Sequence, residues 1–200
     1  MALKQTIAII GADEIVGSAI AKSLSKSDYR LILVSKDHKE SDILKSNLLN
    51  GGAKAEIETD SCAKEASWEA DIILMATPYE AEKEVIEKIK DVAVAKVVIS
   101  ISTPSTRNYK NQAQSPETSA AEELQKLLPY SKVVKTFNTV FARNYITSMI
   151  SSKNGETFIA GNNSDALEAV SKLVLSAGFI PIVVGDLSVS RRLETLHFSF

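Results

Sequence analysis

Short apolar runs alternate with helix-patterned stretches along the whole chain, and few folds tolerate that rhythm. The runs are "TIAII", "RLILVS", "KAEIE", "ADIILMAT", "KVVISIS", "SKVVKTF", "ETFIAG" and "IPIVVG". Several stay apolar over successive residues instead of alternating, as strands do when helices cover both faces of a sheet. Between them the spacing predicts helices over 16–27, 41–50, 80–90, 119–128, 140–149, 164–177 and 188–198. Strand and helix in turn predict a doubly wound, mostly parallel α/β sheet of about eight strands with helices on both faces. At 200 residues the chain suits one domain over 1–200 and leaves no room for a separate substrate domain.

Helix ends fit this plan. "SAAE" from Ser119 to Glu122 has capping-box spacing, and Ser164 stands where an N-cap belongs. Asn50-Gly51-Gly52 and Ala177-Gly178 supply left-handed stops. One polar segment, "TPSTRNYKNQAQSPET" from Thr103 to Thr118, breaks the rhythm after a strand's C-terminal end. It reads either as a solvated connector or as a loop over a ligand, since α/β sheets bind ligands on that side.

The first strand, bend and helix, "TIAIIGADEIVGSAIAKSL", frame a Rossmann-type dinucleotide site. A pyrophosphate turn needs a sharp bend after the strand, close backbone approach and a helix N-terminus aimed at the anion. Gly11 supplies the bend, and Gly17 with Ser18 and Ala19 allows tight packing of helix on strand. The middle glycine falls at Asp13 or Glu14 and is absent. A carboxylate about 4 Å from a phosphate charge costs ~1 kcal/mol in water and ~4 kcal/mol at an effective dielectric near 20. A ligand-free turn therefore stays open as the second reading.

The end of the second strand bears on the cofactor. Folds that prefer NAD place Asp or Glu there to bind the ribose hydroxyls. Here "LILVSKDHKE" places Ser35 and Lys36 at that point, a hydroxyl and a cation suited to a 2′-phosphate, so NADP is expected over NAD. The fourth strand ends in "MATPYEAE", which would lie beside the nicotinamide. Tyr79 and Lys83 share the Tyr-x-x-x-Lys spacing of short-chain dehydrogenases, but Tyr79 directly follows a strand, where that family's tyrosine lies well inside a helix.

Other signals are sparse. Cys62 is the only cysteine, so no intramolecular disulfide is available, and a reducing, cytoplasmic compartment is expected. One cysteine and two distant histidines give no metal-ligand spacing. A net charge of -2 gives no electrostatic reason to expect nucleic acid or anionic membrane as a partner. No apolar run reaches the roughly 18–20 residues that span a bilayer, and no signal-peptide cleavage pattern is present. No Gly-x-Ser-x-Gly elbow is present. His197 is expected to pack on an apolar helix, and Arg191 and Glu194, spaced i,i+3, are expected to pair within one helix.

Several of these segments together resemble the NADPH-dependent coenzyme F420 reductases and the related nucleotide-binding domains of ferric reductases. They are "IIGADEIVGSAIAKSL", "LVSKDHKE", "MATPYEAE", "SAAEELQKLLPYSKVVKTFNTVFA", "FIAGNN" and "GDLSVSRRLETL". The departures are Glu14, where the family has glycine, Asp13 for a Thr-like residue, and Tyr79 where Trp is common. The resemblance implies a cofactor-binding set of Gly11, Ala12, Asp13, Ile15, Val16 and Gly17, with Ser35 and Lys36 at the 2′-phosphate. Ala76, Thr77, Pro78 and Tyr79 fall on its nicotinamide side, and Asn138, Thr139 and Val140 on its redox site. It implies hydride transfer between NADPH and a flavin or coenzyme F420, and a homodimer. No catalytic acid, base or metal ligand is assigned, because aligned cofactors carry that chemistry themselves. Two alternatives remain: a degenerate Rossmann module acting as a binding or sensor protein, and an atypical short-chain-like reductase acting through Tyr79 and Lys83.

Overall fold

The computed structural model describes residues 4–103, 117–137 and 155–196. All eight expected strands are present: β1 (Thr6–Ile10), β2 (Arg30–Val34), β3 (Glu56–Asp60), β4 (Ile72–Met75), β5 (Val97–Ser100), β6 (Lys132–Lys135), β7 (Glu156–Gly161) and β8 (Ile180–Gly185). The helices are α1 (Ile15–Leu24), α2 (His38–Asn50), α3 (Ala63–Glu69), α4 (Tyr79–Ile89), α5 (Ala120–Leu127), α6 (Ser164–Ser176) and α7 (Ser190–Leu196). A 3₁₀ turn over Leu187–Val189 leads into α7. The helix expected over 140–149 lies outside the described residues, as does most of the polar segment 103–118.

One sheet holds every strand, in the order β3-β2-β1-β4-β5-β6-β7-β8. The first six are mutually parallel, in the 3-2-1-4-5-6 order of a doubly wound nucleotide fold. β7 runs antiparallel to β6, and β8 runs parallel to β7. The chain winds outward in both directions from β1 and β4, so their C-terminal ends open a crevice between diverging connections.

The uninterrupted apolar runs have the physical cause expected of them. Along β1, Ile7 and Ile9 pack with α1, α2 and α6 on one face, while Ala8 and Ile10 pack with α3, α4 and α5 on the other. Leu31 and Leu33 of β2 divide from Ile32 and Val34 in the same way. Both faces are dry, so neither can carry the polar half of an alternating pattern.

The caps refine the sequence reading. Ser119 caps α5 as expected, its hydroxyl accepting from the Glu122 amide at 3.2 Å. The cap of α6 is Asn163, not Ser164: its side-chain oxygen accepts from the Ala166 amide at 2.9 Å. Gly52 and Gly178 adopt the left-handed conformation after α2 and α6, with φ of 76° and 90°. The short helix α3, "AKEASWE", has too few turns to show a period, and its sequence gave no helix signal.

Candidate functional site: a cleft at the carboxyl edge of the sheet

The bend after β1 explains both glycines. Gly11 has φ of 85°, and a Cβ there would lie 2.9 Å from the Ala76 carbonyl carbon and the Thr77 nitrogen. A Cβ on Gly17 would come within 2.1 Å of the Gly11 carbonyl oxygen. The amides of Gly11 and Ala12 both donate to the Val34 carbonyl at 2.9 Å, which ties the bend to β2. The first amide of α1 with a backbone acceptor is that of Ser18, which donates to Glu14. The amides of Ile15, Val16 and Gly17 therefore have no backbone acceptor among the described residues, and this end of the helix can receive an anion.

Glu14 is the N-cap residue of α1, yet its carboxylate makes no cap hydrogen bond. Its charge is thus not committed to the helix amides. Asp13 is exposed and Glu14 only partly so.

Two hollows meet over this bend and share Glu14, Thr77 and Pro78. The larger, about 580 Å³, runs past Gly11 and Asp13 to Ser35 and Lys36 at the end of β2, and on to Cys62, Lys64 and Lys88. The smaller, about 310 Å³, is lined by Ile15, Val16, Ala76, Tyr79, Ile101 and Ser102 among others. Gly11, Asp13, Ile15, Val16, Ser35, Lys36, Ala76, Thr77, Pro78 and Tyr79 thus line one elongated cleft. Ala12 and Gly17 are buried beneath it. Asn138, Thr139 and Val140 lie outside the described residues.

Ser35 is 4% exposed, and its hydroxyl donates to the Asp37 carbonyl at 2.7 Å, which holds the bend that presents the exposed Lys36. Lys88 is paired with Glu84 at 2.7 Å. Phe137, just past β6, has φ of 61°, which a bulky residue adopts only when its surroundings hold it. Its ring is fully buried, edge-on to Phe179 at 6.0 Å.

Tyr79 is the first residue of α4, and its hydroxyl donates to Glu123 at 2.6 Å. Burial and that carboxylate push the phenol well above its ordinary pKa, so it stays protonated. The bond to Glu123 anchors the ring at the start of α4.

Charges that the sequence reading overlooked or misplaced stand behind Tyr79. Arg191 forms a two-pronged pair with Glu122 of α5, at 2.7 and 2.6 Å, and does not pair with Glu194. Partial burial would raise the Glu122 carboxyl, but Arg191 and Ser119 hold it below the usual carboxylate range. Glu194 is fully buried and pairs with the equally buried Lys135 at 3.1 Å. It also accepts from the Ala120 and Ala121 amides at 2.9 and 3.3 Å. Lys135 donates in turn to the carbonyls of Ile101 and Ser102 on the wall of the cleft. An i,i+3 spacing shows only what one helix permits. It could not show that α7 turns both charged side chains toward α5.

A profile of the family described as NADP oxidoreductase, coenzyme F420-dependent, matches residues 6–104, from β1 to just past β5. The F420-dependent NADP reductase of Methanocaldococcus jannaschii is 27% identical over 198 residues, covering 95% of this chain and 88% of that protein. Over this nucleotide-binding half the chain is similar to the coenzyme F420-dependent NADP oxidoreductases. The human metalloreductase STEAP2 is 34% identical over 110 residues, which is 54% of this chain but only 21% of that protein. A solved structure from Arthrobacter, described as a candidate F420-dependent NADP reductase, superposes with a TM-score of 0.74. It covers 95% of this chain and 89% of its own at 20% identity, a likeness of fold. Among the described residues, no helix is long and apolar enough to cross a membrane, and no cluster suits a metal ion.

Proposed function

We propose that this chain binds NADPH in preference to NADH and passes hydride between its nicotinamide and a flavin or deazaflavin ring. One observation carries the reading. A continuous cleft lies at the sheet's switch point, with three α1 amides that have no backbone acceptor among the described residues at its middle and the exposed Lys36, held by the bend at Ser35, at one end. The cleft's form fits an extended dinucleotide: Gly11 and Gly17 keep the bend open where any Cβ would collide.

In this reading the Ile15, Val16 and Gly17 amides hold the pyrophosphate, and Lys36, presented by Ser35, meets the 2′-phosphate. Ala76, Thr77 and Pro78 carry the nicotinamide half, and Tyr79 walls it with a ring fixed by Glu123. The bound cofactors supply the hydride chemistry, and the protein holds them in register away from water. The names of the two reductases similar to this chain support the deazaflavin, coenzyme F420, as acceptor.

A second reading, a Rossmann module that binds without turnover, draws on Asp13 and Glu14. Glu14 lines both halves of the cleft, and a carboxylate there opposes phosphate. Titration of NADPH and NADH into the wild type and Glu14→Gly separates the two. The oxidoreductase reading expects wild-type binding of NADPH, at least about 10-fold tighter than NADH because of Lys36. Glu14→Gly should tighten both, most strongly at low salt. Binding that appears only in Glu14→Gly, or no NADPH oxidation with any flavin or deazaflavin, would defeat it.

A further inference from the structure

Beneath the smaller hollow lies a carboxyl that the reading above leaves idle. Glu82, one turn along α4 from the start of the helix, is 4% exposed, and its Oε1 has no hydrogen-bond partner among the described residues. The Ser102 side chain lines the hollow and stands close enough to this carboxyl to favour its ionised form by hydrogen bonding, yet its hydroxyl has no other partner among the described residues. A buried carboxyl whose hydrogen-bonding neighbour is a hydroxyl opening on a cleft is under-satisfied, and the hydroxyl links it to whatever the cleft holds.

The charges that face Glu82 come from three neighbouring elements: Lys135 of β6, Glu194 of α7 and Glu123 of α5, with the Tyr79 phenol on its own helix. Lys135 is already matched by Glu194 and by two carbonyls, and among the described residues Glu82 forms no ion pair. Burial dominates, assisted by Glu194 and Glu123 and opposed by Ser102 and Lys135, and the carboxyl is pushed up to about 7. A group poised there can both take and give a proton at physiological pH.

We infer that Glu82, acting through the Ser102 hydroxyl, takes up and returns the proton that accompanies hydride transfer in this cleft. The inference rests on the hydride-transfer reading. In the direction of NADP⁺ reduction, a C–H bond of the reduced ring breaks, and its hydrogen and electron pair form the new C–H bond on nicotinamide. The ring is oxidised by two electrons and nicotinamide is reduced by two. The ring's N–H bond then breaks. Its proton joins the Ser102 oxygen as the Ser102 proton passes to the Glu82 carboxylate, and neutral Glu82 later yields that proton to water. The reverse reaction runs the same transfers backward, with Glu82 starting protonated.

The test compares wild type, Glu82→Gln and Ser102→Ala in NADPH oxidation with coenzyme F420 or FMN as acceptor, across pH, alongside NADPH titrations. Wild-type kcat should fall as pH rises through about 7. Glu82→Gln should lose that inflection and about 100-fold in kcat, while the NADPH Kd stays within about twofold. Ser102→Ala should lower kcat in the same manner. Independently of turnover, the infrared band of a protonated carboxylic acid should titrate near neutrality in wild type and be missing from Glu82→Gln. Survival of both kcat and the inflection in Glu82→Gln, or a Glu82 carboxyl already ionised at pH 5, overturns the inference. A wild type that binds NADPH but transfers no hydride defeats the parent reading and this inference together, and that pattern is distinct from either result.

Discussion

Gly17 has no room for a methyl group. Its neighbour is a backbone carbonyl, which cannot swing aside as the end of a side chain could. Gly17→Ala must push α1 away from the bend after β1, at a cost of about 1–3 kcal/mol or more. It should also turn the free amides of the helix off their line. The expected outcome is a lower urea midpoint together with weaker NADPH binding, and a variant as stable and as tight as wild type would contradict the packing described here. This much was legible from the sequence, because a bend followed by a closely packed helix admits few residue types. The orientation of Glu14 was not, since nothing in "GADEIVG" tells whether a carboxylate caps its helix or leaves the amides free. Glu82 was equally silent: it sits in a run of glutamates on an amphipathic helix, and burial alone sets it apart.

At the scale of elements, α5 is the junction. Its first turn takes Arg191 and Glu194 from α7 and, through Glu123, the hydroxyl of Tyr79 from the start of α4. Removing one member of a buried ion pair leaves the other charge stranded, which costs about 3–5 kcal/mol. Glu194→Ala should therefore unfold at much lower urea than Arg191→Ala, whose partner Glu122 is only partly buried. Equal losses in the two variants would argue against the buried pair as the anchor. Strands were easier to foresee than these ties, because a covered strand must be apolar throughout. A tie between helices far apart in sequence depends on which faces the fold turns together. α7 is as short as α3 but falls within a longer periodic stretch, 188–198, whereas no such stretch surrounds α3.

At the scale of the molecule, stability should carry the mark of one carboxyl. Glu82 titrates at about 7 in the folded chain against an ordinary 4.5. Its neutral form therefore adds stability that is complete below the ordinary carboxylate range and is lost as pH rises through about 7. Glu82→Gln cannot ionise, so it should be more stable than wild type at pH 8, by on the order of 3 kcal/mol, and nearly equal to it below pH 5. Urea unfolding at the two pH values measures the gap, and a gap independent of pH would show that Glu82 is not the group responsible. The doubly wound layout could be read from the chain because every strand advertised two covered faces. The reversal of β7 could not, because an apolar strand looks the same in either direction.

The Lys135–Glu194 pair bears on the order in which the chain is made. Lys135 lies in the sheet some sixty residues before its partner, so a growing chain that has released β6 carries a cation with no counter-ion until α7 follows. A ribosome-bound chain halted before residue 190 should keep β6 loosely attached and open to protease, and the last helix would then lock the sheet as it emerges.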